Sequence, residues 1–390
     1  MLTGPLDLEA QARRRLPHFL FEYVNGGSYD EVTVRANGQA LRDVRLRQRV
    51  MRDVSDIRTD GSLFGQNVPL PVGLGPVGLA GMCARRGEVQ AALAARAAGV
   101  PFCLSTVSVC DIAEVAAGTG APFWFQLYMI RDRAFMIDLL QHAARHCSAL
   151  VFTVDMPVGA TRYRDFRTGM SGAPGLSGAL RRALQAAKRP RWAWEVGLRG
   201  RPHALGNLKP VLGTRAGTQD FAAWIMRNFD PSVTWDDLAF VRDHWKGPLL
   251  IKGVLDPDDA EAAVAAGADG IVVSNHGGRQ LDGALATAEA LPRIAERVRG
   301  RVRILADGGV RSGLDVFKML ALGADGILLG RAWAYALAAQ GEAGVTTLLD
   351  AIGRDLRATM AMTGCRTLAD ITPDKLSGGG SDPLAVAEPL

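Results

Sequence analysis

The sequence predicts an α/β protein, a (β/α)8 barrel of the TIM type, with an N-terminal helical extension and a long insertion after the fourth strand. Three observations carry this. From residue 70 onward, short apolar runs alternate with alanine-rich helical stretches, eight times over. The runs are continuous rather than alternating in polarity, as parallel strands buried on both faces require. Nearly every run also ends on a polar residue or a glycine, so reactive groups collect at the strand ends where barrel enzymes place their active sites.

In chain order, Asp7 precedes a short helical pattern, Pro17 breaks it, and Gly26-Gly27 ends a second short helix that carries Tyr23. Strands are expected at 71–75, 102–105, 123–128, 150–155, 249–253, 270–274, 303–307 and 326–330, with helices such as 86–98 and 258–266 stopping at glycine. Ala266-Gly267-Ala268-Asp269-Gly270 and Leu322-Gly323-Ala324-Asp325-Gly326 repeat one grammar of helix end, turn and strand, and Ala98-Gly99-Val100-Pro101-Phe102 echoes it. A doubly wound open sheet is the runner-up, but no Gly-x-Gly-x-x-Gly opens a first βα unit. One domain is expected over 1–376, followed by a glycine-rich, flexible tail over 377–390.

Composition agrees. A chain of 390 residues, 48% hydrophobic and 22% charged, suffices for one large barrel of roughly 250 residues or more with insertions. No apolar run approaches the ~20 residues of a membrane span. The first residues carry three consecutive arginines and no apolar core before a cleavage site, so no secretory leader is expected. Five cysteines without metal-site spacing read as buried free thiols, and no metal site is expected.

The net charge of +5 is unevenly spread. Residues 156–220 hold twelve Lys or Arg against three Asp or Glu, or +9, leaving the remainder at −4. This stretch lies in the connection spanning 156–248, far longer than an ordinary βα loop. Within it Arg181, Arg182, Lys188, Arg189 and Arg191 stand beside Trp192 and Trp194. That mixture suits the headgroup region of an anionic membrane; a lid with solvated charges is the alternative. No nucleic-acid-binding module accompanies the charge, so nucleic acid is not an expected partner.

The densest chemistry follows the apolar run Ile271-Val272-Val273, in Ser274-Asn275-His276-Gly277-Gly278-Arg279-Gln280-Leu281-Asp282. His276 can take a proton near neutral pH, and Arg279 presents a planar fork suited to a carboxylate. The other strand ends contribute Val77 and Gly78, Ser105, Gln126 with Tyr128, Thr153 with Asp155, and Lys252. Asp307-Gly308-Gly309-Val310-Arg311 and Gly330-Arg331, after strands seven and eight, combine backbone NH groups and guanidiniums in a form suited to phosphate.

The string SNHGGRQLD resembles the signature of the FMN-dependent L-2-hydroxy acid dehydrogenases and oxidases, and similarity runs from about residue 16 to 364. The resemblance implies FMN, with its phosphate at Gly309, Arg311, Gly330 and Arg331 and its ribityl hydroxyls at Asp307. Val77, Gly78, Ser105, Gln126 and Thr153 would meet the isoalloxazine, Ser274 would also contact the cofactor, and Lys252 would favour negative charge on the reduced ring. His276 would be the base, paired with Asp155; Tyr128 would contact the substrate oxygen, and Tyr23, Arg279 and Arg162 its carboxylate.

Met170-Ser171-Gly172, Trp192-Ala193-Trp194 and residues 197–203 look most like the respiratory lactate branch. That branch implies oxidation of L-lactate to pyruvate, with electrons passing to a quinone or another respiratory acceptor. It also implies a homotetramer on the cytoplasmic side, peripheral on the inner face of the cell membrane. A mandelate dehydrogenase, or a glycolate or 2-hydroxy acid oxidase using oxygen, is the alternative substrate reading. A non-catalytic basic membrane-binding barrel is the alternative of another class, and it would need the strand-end set to be vestigial.

Overall fold

The computed structural model describes residues 4–172, 175–201, 203–213, 224 and 227–377; the expected tail beyond 377 lies outside the described residues. A two-stranded hairpin, β1 (Gly61–Leu63) and β2 (Gln66–Val68), precedes the barrel. The barrel strands are β3 (Val72–Leu74), β4 (Cys103–Ser105), β5 (Phe123–Tyr128), β6 (Cys147–Thr153), β7 (Leu249–Val254), β8 (Gly270–Val273), β9 (Arg303–Ala306) and β10 (Gly326–Leu329). They pair in parallel in the order β3-β10-β9-β8-β7-β6-β5-β4. A parallel bridge between Leu74 and Phe102, with Leu74 N donating to the Pro101 carbonyl at 2.8 Å, links β3 to the chain entering β4 and closes the ring.

Strand periodicity sorts the side chains of the barrel interior. Cys103, Trp124, Val151, Leu250, Val272, Leu305 and Leu328 form an apolar inner layer together with Leu63 and Val68 of the hairpin. Two residues further along the same strands stand Ser105, Gln126, Thr153, Lys252, Ser274 and Asp307. The polar set is therefore the next layer toward the carboxyl ends, resting on a packed apolar floor.

The hairpin is absent from the sequence-based expectation. Its turn residues Phe64 and Gly65 both have positive φ, 49° and 80°, the geometry of a tight hairpin that Asn-Gly would have advertised and Phe-Gly does not. Phe64 packs edge-on against Trp124, with ring centroids 5.7 Å apart. A Cβ on Gly270 would lie 2.4 Å from Phe64 Cζ, and one on Gly326 2.9 Å from Leu63 Cδ2, so the first residue of β8 and of β10 must be glycine for the hairpin to plug this end.

The internal repeat thus has a physical reason at each position. Gly267 and Gly323 turn out of their helices at φ 84° and 119°. Asp269 accepts from Leu249 N at 2.9 Å and Asp325 from Ile304 N at 2.8 Å, each carboxylate holding the start of the preceding strand.

Three helices, Pro5–Arg15, His18–Asn25 and Val32–Asp43, form the N-terminal extension. Phe19, Leu20, Phe21 and Val24 bury the face of the second, which delivers Tyr23 to the barrel mouth. The described residues of the long connection include the helices Tyr163–Thr168, Gly175–Ala187, Pro190–Trp192 and Ala193–Leu198. All five cysteines are free. Burial pushes the Cys83 thiol up to about 12 and raises the other four as well, which fits packing roles.

Candidate active site

Two hydrogen-bonded chains line the mouth of the barrel. On one side Ser105 Oγ donates to Gln126 Oε1 at 3.2 Å, and Gln126 Nε2 donates to Thr153 Oγ1 at 3.0 Å. On the other, Lys252 Nζ donates to Ser274 Oγ at 2.9 Å and lies 3.1 Å from Asp307 Oδ2. Burial works against the Lys252 ammonium, but the charges of Asp307 and Asp155 outweigh it and hold its pKa above the ordinary lysine value. A fixed cation therefore stands in the floor of the mouth.

His276 follows β8 in a left-handed conformation, φ 57°, which is uncommon for a residue with a side chain and marks a position held by its surroundings. Its backbone NH donates to Ser274 Oγ at 3.0 Å, and its Nδ1 faces Asp155 Oδ1 and Oδ2 at 3.0 and 3.2 Å. The pairing that spacing alone could not establish is present. Burial opposes the Asp155 carboxylate, yet the charge and hydrogen bond of His276, with Lys252 beyond, keep its pKa below the usual range. Gly253, at φ 109°, makes the room: a Cβ there would come within 2.5 Å of Asp155 Cβ.

The carboxylate-binding candidates also converge. Arg279 Cζ lies 5.0 Å and Arg162 Cζ 5.2 Å from the centre of the Tyr23 ring. Arg279 Nη1 donates to the carbonyls of Tyr23 and Gly26, both at 2.8 Å, which ties the N-terminal extension to the loop bearing His276. Arg162 Nε lies 3.1 Å from Asp165 Oδ2, so that acid holds it from behind. Tyr128 is buried and its hydroxyl pKa is raised, by burial first and then by the charges of Asp155 and Tyr23. It stays protonated and able to donate.

At the ends of β9 and β10, Arg311 Nη1 bonds its neighbour's Val310 carbonyl at 3.0 Å and its guanidinium lies 5.8 Å from the Tyr335 ring centre. Arg331 sends Nε, Nη1 and Nη2 to the carbonyls of Val24, Gly277 and Gly26 at 3.0, 2.7 and 2.7 Å. Burial, with Arg279 and Arg311 adding repulsion, brings its pKa down to about 9. A buried guanidinium bonded only to carbonyls, with two more cations nearby, is short of an anion.

Several contributors carried no sequence signal. Asn37 and Asn275 exchange amide hydrogen bonds, Asn37 Nδ2 to Asn275 Oδ1 at 2.9 Å and Asn275 Nδ2 to Asn37 Oδ1 at 2.8 Å. Asn275 Oδ1 also accepts from Gly278 N and Asn37 Oδ1 from Thr287 N, both at 3.1 Å. This buried pair pins the His276 loop to helix Val32–Asp43. Arg164 joins Glu22 and Glu31, and Gln280 Nε2 bonds the Asp155 carbonyl at 3.0 Å. Asn275 and Gln280 stand within the string SNHGGRQLD, but their partners are 238 and 125 residues away and nothing local marks Asn37.

An imidazole backed by a carboxylate, guanidiniums over a tyrosine ring and a buried ammonium, all at the carboxyl ends of barrel strands, are the parts of an oxidoreductase that handles a carboxylic acid. The comparisons with known proteins narrow that class. The FMN-dependent dehydrogenase family matches residues 12–378. The L-lactate dehydrogenase of Caulobacter sp. (strain K31) is 60% identical over 372 residues, 95% of this chain and 97% of its own. That of Stenotrophomonas maltophilia (strain R551-3) is 57% identical over 377 residues, 96% and 99%. Among solved structures, the monotopic membrane protein (S)-mandelate dehydrogenase superposes with a TM-score of 0.88 at 34% identity, covering 96% of this chain and 99% of that one. Mandelate oxidase with (S)-4-hydroxymandelic acid gives 0.83 at 38%, covering 96% and 98%. The chain belongs to the FMN-dependent dehydrogenase family, and its cofactor is FMN.

The residues present fit that cofactor. Asp307 Oδ1 is buried with no hydrogen-bond partner, as an acceptor awaiting a hydroxyl would be. Arg331 lacks an anion, and a Cβ on Gly330 would meet nothing within 4 Å, so the space beside it is open. On the other side of the mouth Gly78 stands close to Tyr23: a Cβ there would lie 3.6 Å from Tyr23 Oη and only 2.7 Å from Val107 Cγ2, so this position has room for glycine alone.

Proposed function

We infer that this chain oxidises an L-2-hydroxy acid to the 2-oxo acid, with L-lactate as substrate and pyruvate as product. The observation that carries the chemistry is the Asp155–His276 pair opposite the Arg279, Arg162 and Tyr23 cluster. With Nδ1 held by Asp155, Nε2 is the atom left to take a substrate proton. Arg279 and Arg162 would grip the carboxylate and Tyr128 would donate to the hydroxyl oxygen, fixing which proton faces His276. FMN, when bound, accepts the two electrons. Lys252, Ser274 and Asp307 would hold its ring and ribityl edge, and Gly309, Arg311, Gly330 and Arg331 its phosphate. The intact strand-end set speaks against a non-catalytic barrel, and the lactate assignment rests on relatives of 56–60% identity over nearly the whole chain.

The acceptor is a quinone, reached from an anionic membrane surface on the cytoplasmic side, and the working form is a homotetramer. Among the described residues no helix is long and apolar enough to cross a membrane. Helix Gly175–Ala187 instead exposes Leu176, Leu180 and Leu184 on one face, at 91%, 61% and 58%, amid the basic residues of the connection. A four-residue spacing of bare leucines favours contact with lipid over a solvated lid.

Anaerobic addition of L-lactate should bleach the visible flavin spectrum of the purified protein, with fast recovery on adding a quinone and slow recovery in air. Reduction by L-mandelate but not L-lactate would move the substrate. His276→Gln should retain FMN and lose nearly all turnover; substantial residual activity would remove the assigned role.

A further inference from the structure

A cavity of about 480 Å3 lies away from the active-site residues, lined by Arg15, Arg85, Gln90, Arg191, Glu195 and Arg199. Its floor is the junction between helices Arg331–Gln340 and Glu342–Thr363, where Gln90 Oε1 accepts from Glu342 N at 3.0 Å. Four arginines and one glutamate are among the residues that line it. Glu195 takes Arg15 Nη2 at 2.5 Å and Arg191 Nε at 3.1 Å, which leaves Arg85 and Arg199 with no acid among the described residues and three net positive charges around the cavity. Arg191, Glu195 and Arg199 recur at intervals of four, on the helical turns that also expose Trp194 at 58% and Leu198 at 55%. Polyvalent guanidinium donors in a concave site, next to bare apolar side chains, match a ligand whose phosphate is covalently joined to an apolar body.

We propose that this cavity binds the phosphodiester headgroup of an anionic phospholipid, with the acyl chains running over Trp194 and Leu198. Arg85 and Arg199 supply the uncommitted donors, and the Arg15–Glu195–Arg191 bridge holds the walls. The amino end of helix Gly87–Ala97, which follows β3, places Arg85 and Gln90 at the same end of the barrel as the active site. A bound headgroup would therefore orient the barrel mouth relative to the lipid surface, beyond merely retaining the protein on it. This rests on the membrane reading above and assigns that contact a specific ligand site.

The test is co-sedimentation of the FMN-loaded enzyme with phosphatidylcholine vesicles, with and without phosphatidylglycerol. Compared are the wild type, Arg85→Gln/Arg199→Gln, Lys188→Gln/Arg201→Gln, which removes equal charge outside the cavity, and Leu180→Ser. Turnover of each with a soluble dye as acceptor confirms folding. The cavity variant is expected to lose about thirtyfold in affinity for phosphatidylglycerol vesicles, on the scale of two lost basic contacts, and the external charge variant distinctly less. Equal losses in the two charge variants would mean diffuse attraction and overturn the site. Binding that falls with Leu180→Ser but not with the cavity variant would leave the membrane reading standing and overturn the headgroup site alone. Wild type that ignores every vesicle would overturn both. A thermal shift by inorganic phosphate, lost in Arg85→Gln/Arg199→Gln while vesicle binding is unchanged, would assign the cavity to free phosphate and overturn the lipid ligand.

Discussion

Replacing Asp155 by Asn isolates one interaction of the proposed mechanism. The amide keeps the size and can still accept from His276 Nδ1, so the imidazole stays oriented while the negative charge is lost. What disappears is attraction to the imidazolium that forms as the substrate proton is taken. The two groups lie 3.0 Å apart at closest approach, and Asp155 is mostly buried. For opposite unit charges ~4 Å apart at an effective dielectric of ~20, that attraction is about 4 kcal/mol. At about 1.4 kcal/mol per decade, the rate of flavin reduction should fall by roughly 10^3. The assay is anaerobic stopped-flow bleaching at saturating L-lactate, with FMN content checked by absorbance. A fall of less than tenfold in an FMN-replete variant would refute the role given to the Asp155 charge.

Lys252→Met should leave the Asp307 carboxylate buried without its cation, costing about 3–5 kcal/mol as other broken buried pairs do; a lower urea midpoint and a reduced flavin-to-protein absorbance ratio are expected, and full FMN content at an unchanged midpoint would contradict it. Asn37→Ala strips an acceptor from Thr287 N and one bond from each polar end of the Asn275 amide, at about 1–3 kcal/mol, and should lower kcat severalfold while FMN is retained. The depressed pKa values of Asp155 and Asp282 are held down against burial, the first by His276 and the second by backbone NH groups of Thr33, Val32 and Asp30. Their contribution to stability is complete above the ordinary carboxylate pKa of ~3.9 and is lost as pH falls through the lowered native values. The difference in urea midpoint between the wild type and Asp282→Asn should therefore hold steady from pH 7 to about 5 and narrow below about 4.

The barrel strands and their reactive ends could be read from the sequence because each depends on neighbours within a few residues: a continuous apolar run, then a polar residue on the inward face. All eight expected strands recur within a few residues of their expected bounds, and β6 alone begins clearly earlier, at Cys147. The pairing of Asp155 with His276 came from the resemblance, since 121 residues separate them. The hairpin escaped because Phe64 holds a positive φ that glycine or asparagine would have signalled, and Asn37 escaped because a single buried amide has no periodicity.

The strain at His276 shows why those long-range pieces matter. A left-handed backbone at a residue with a Cβ costs of order 1–2 kcal/mol, and the local sequence offers only flanking glycines to accommodate it. The offset comes from outside the loop: Asn37 holds Asn275, the carbonyls of Tyr23 and Gly26 hold Arg279, and Arg331 holds the Gly277 carbonyl. Two of these three supports come from the N-terminal extension, and the third reaches that extension through Val24 and Gly26. Arg331 is also a proposed phosphate ligand, so the site that would bind FMN and the loop that carries the proposed base share a guanidinium. FMN binding should then tighten the His276 loop, and slower amide exchange at Gly277 and Gly278 on adding FMN to stripped protein would register it. Exchange there that is indifferent to FMN would mean that the extension alone bears the strain.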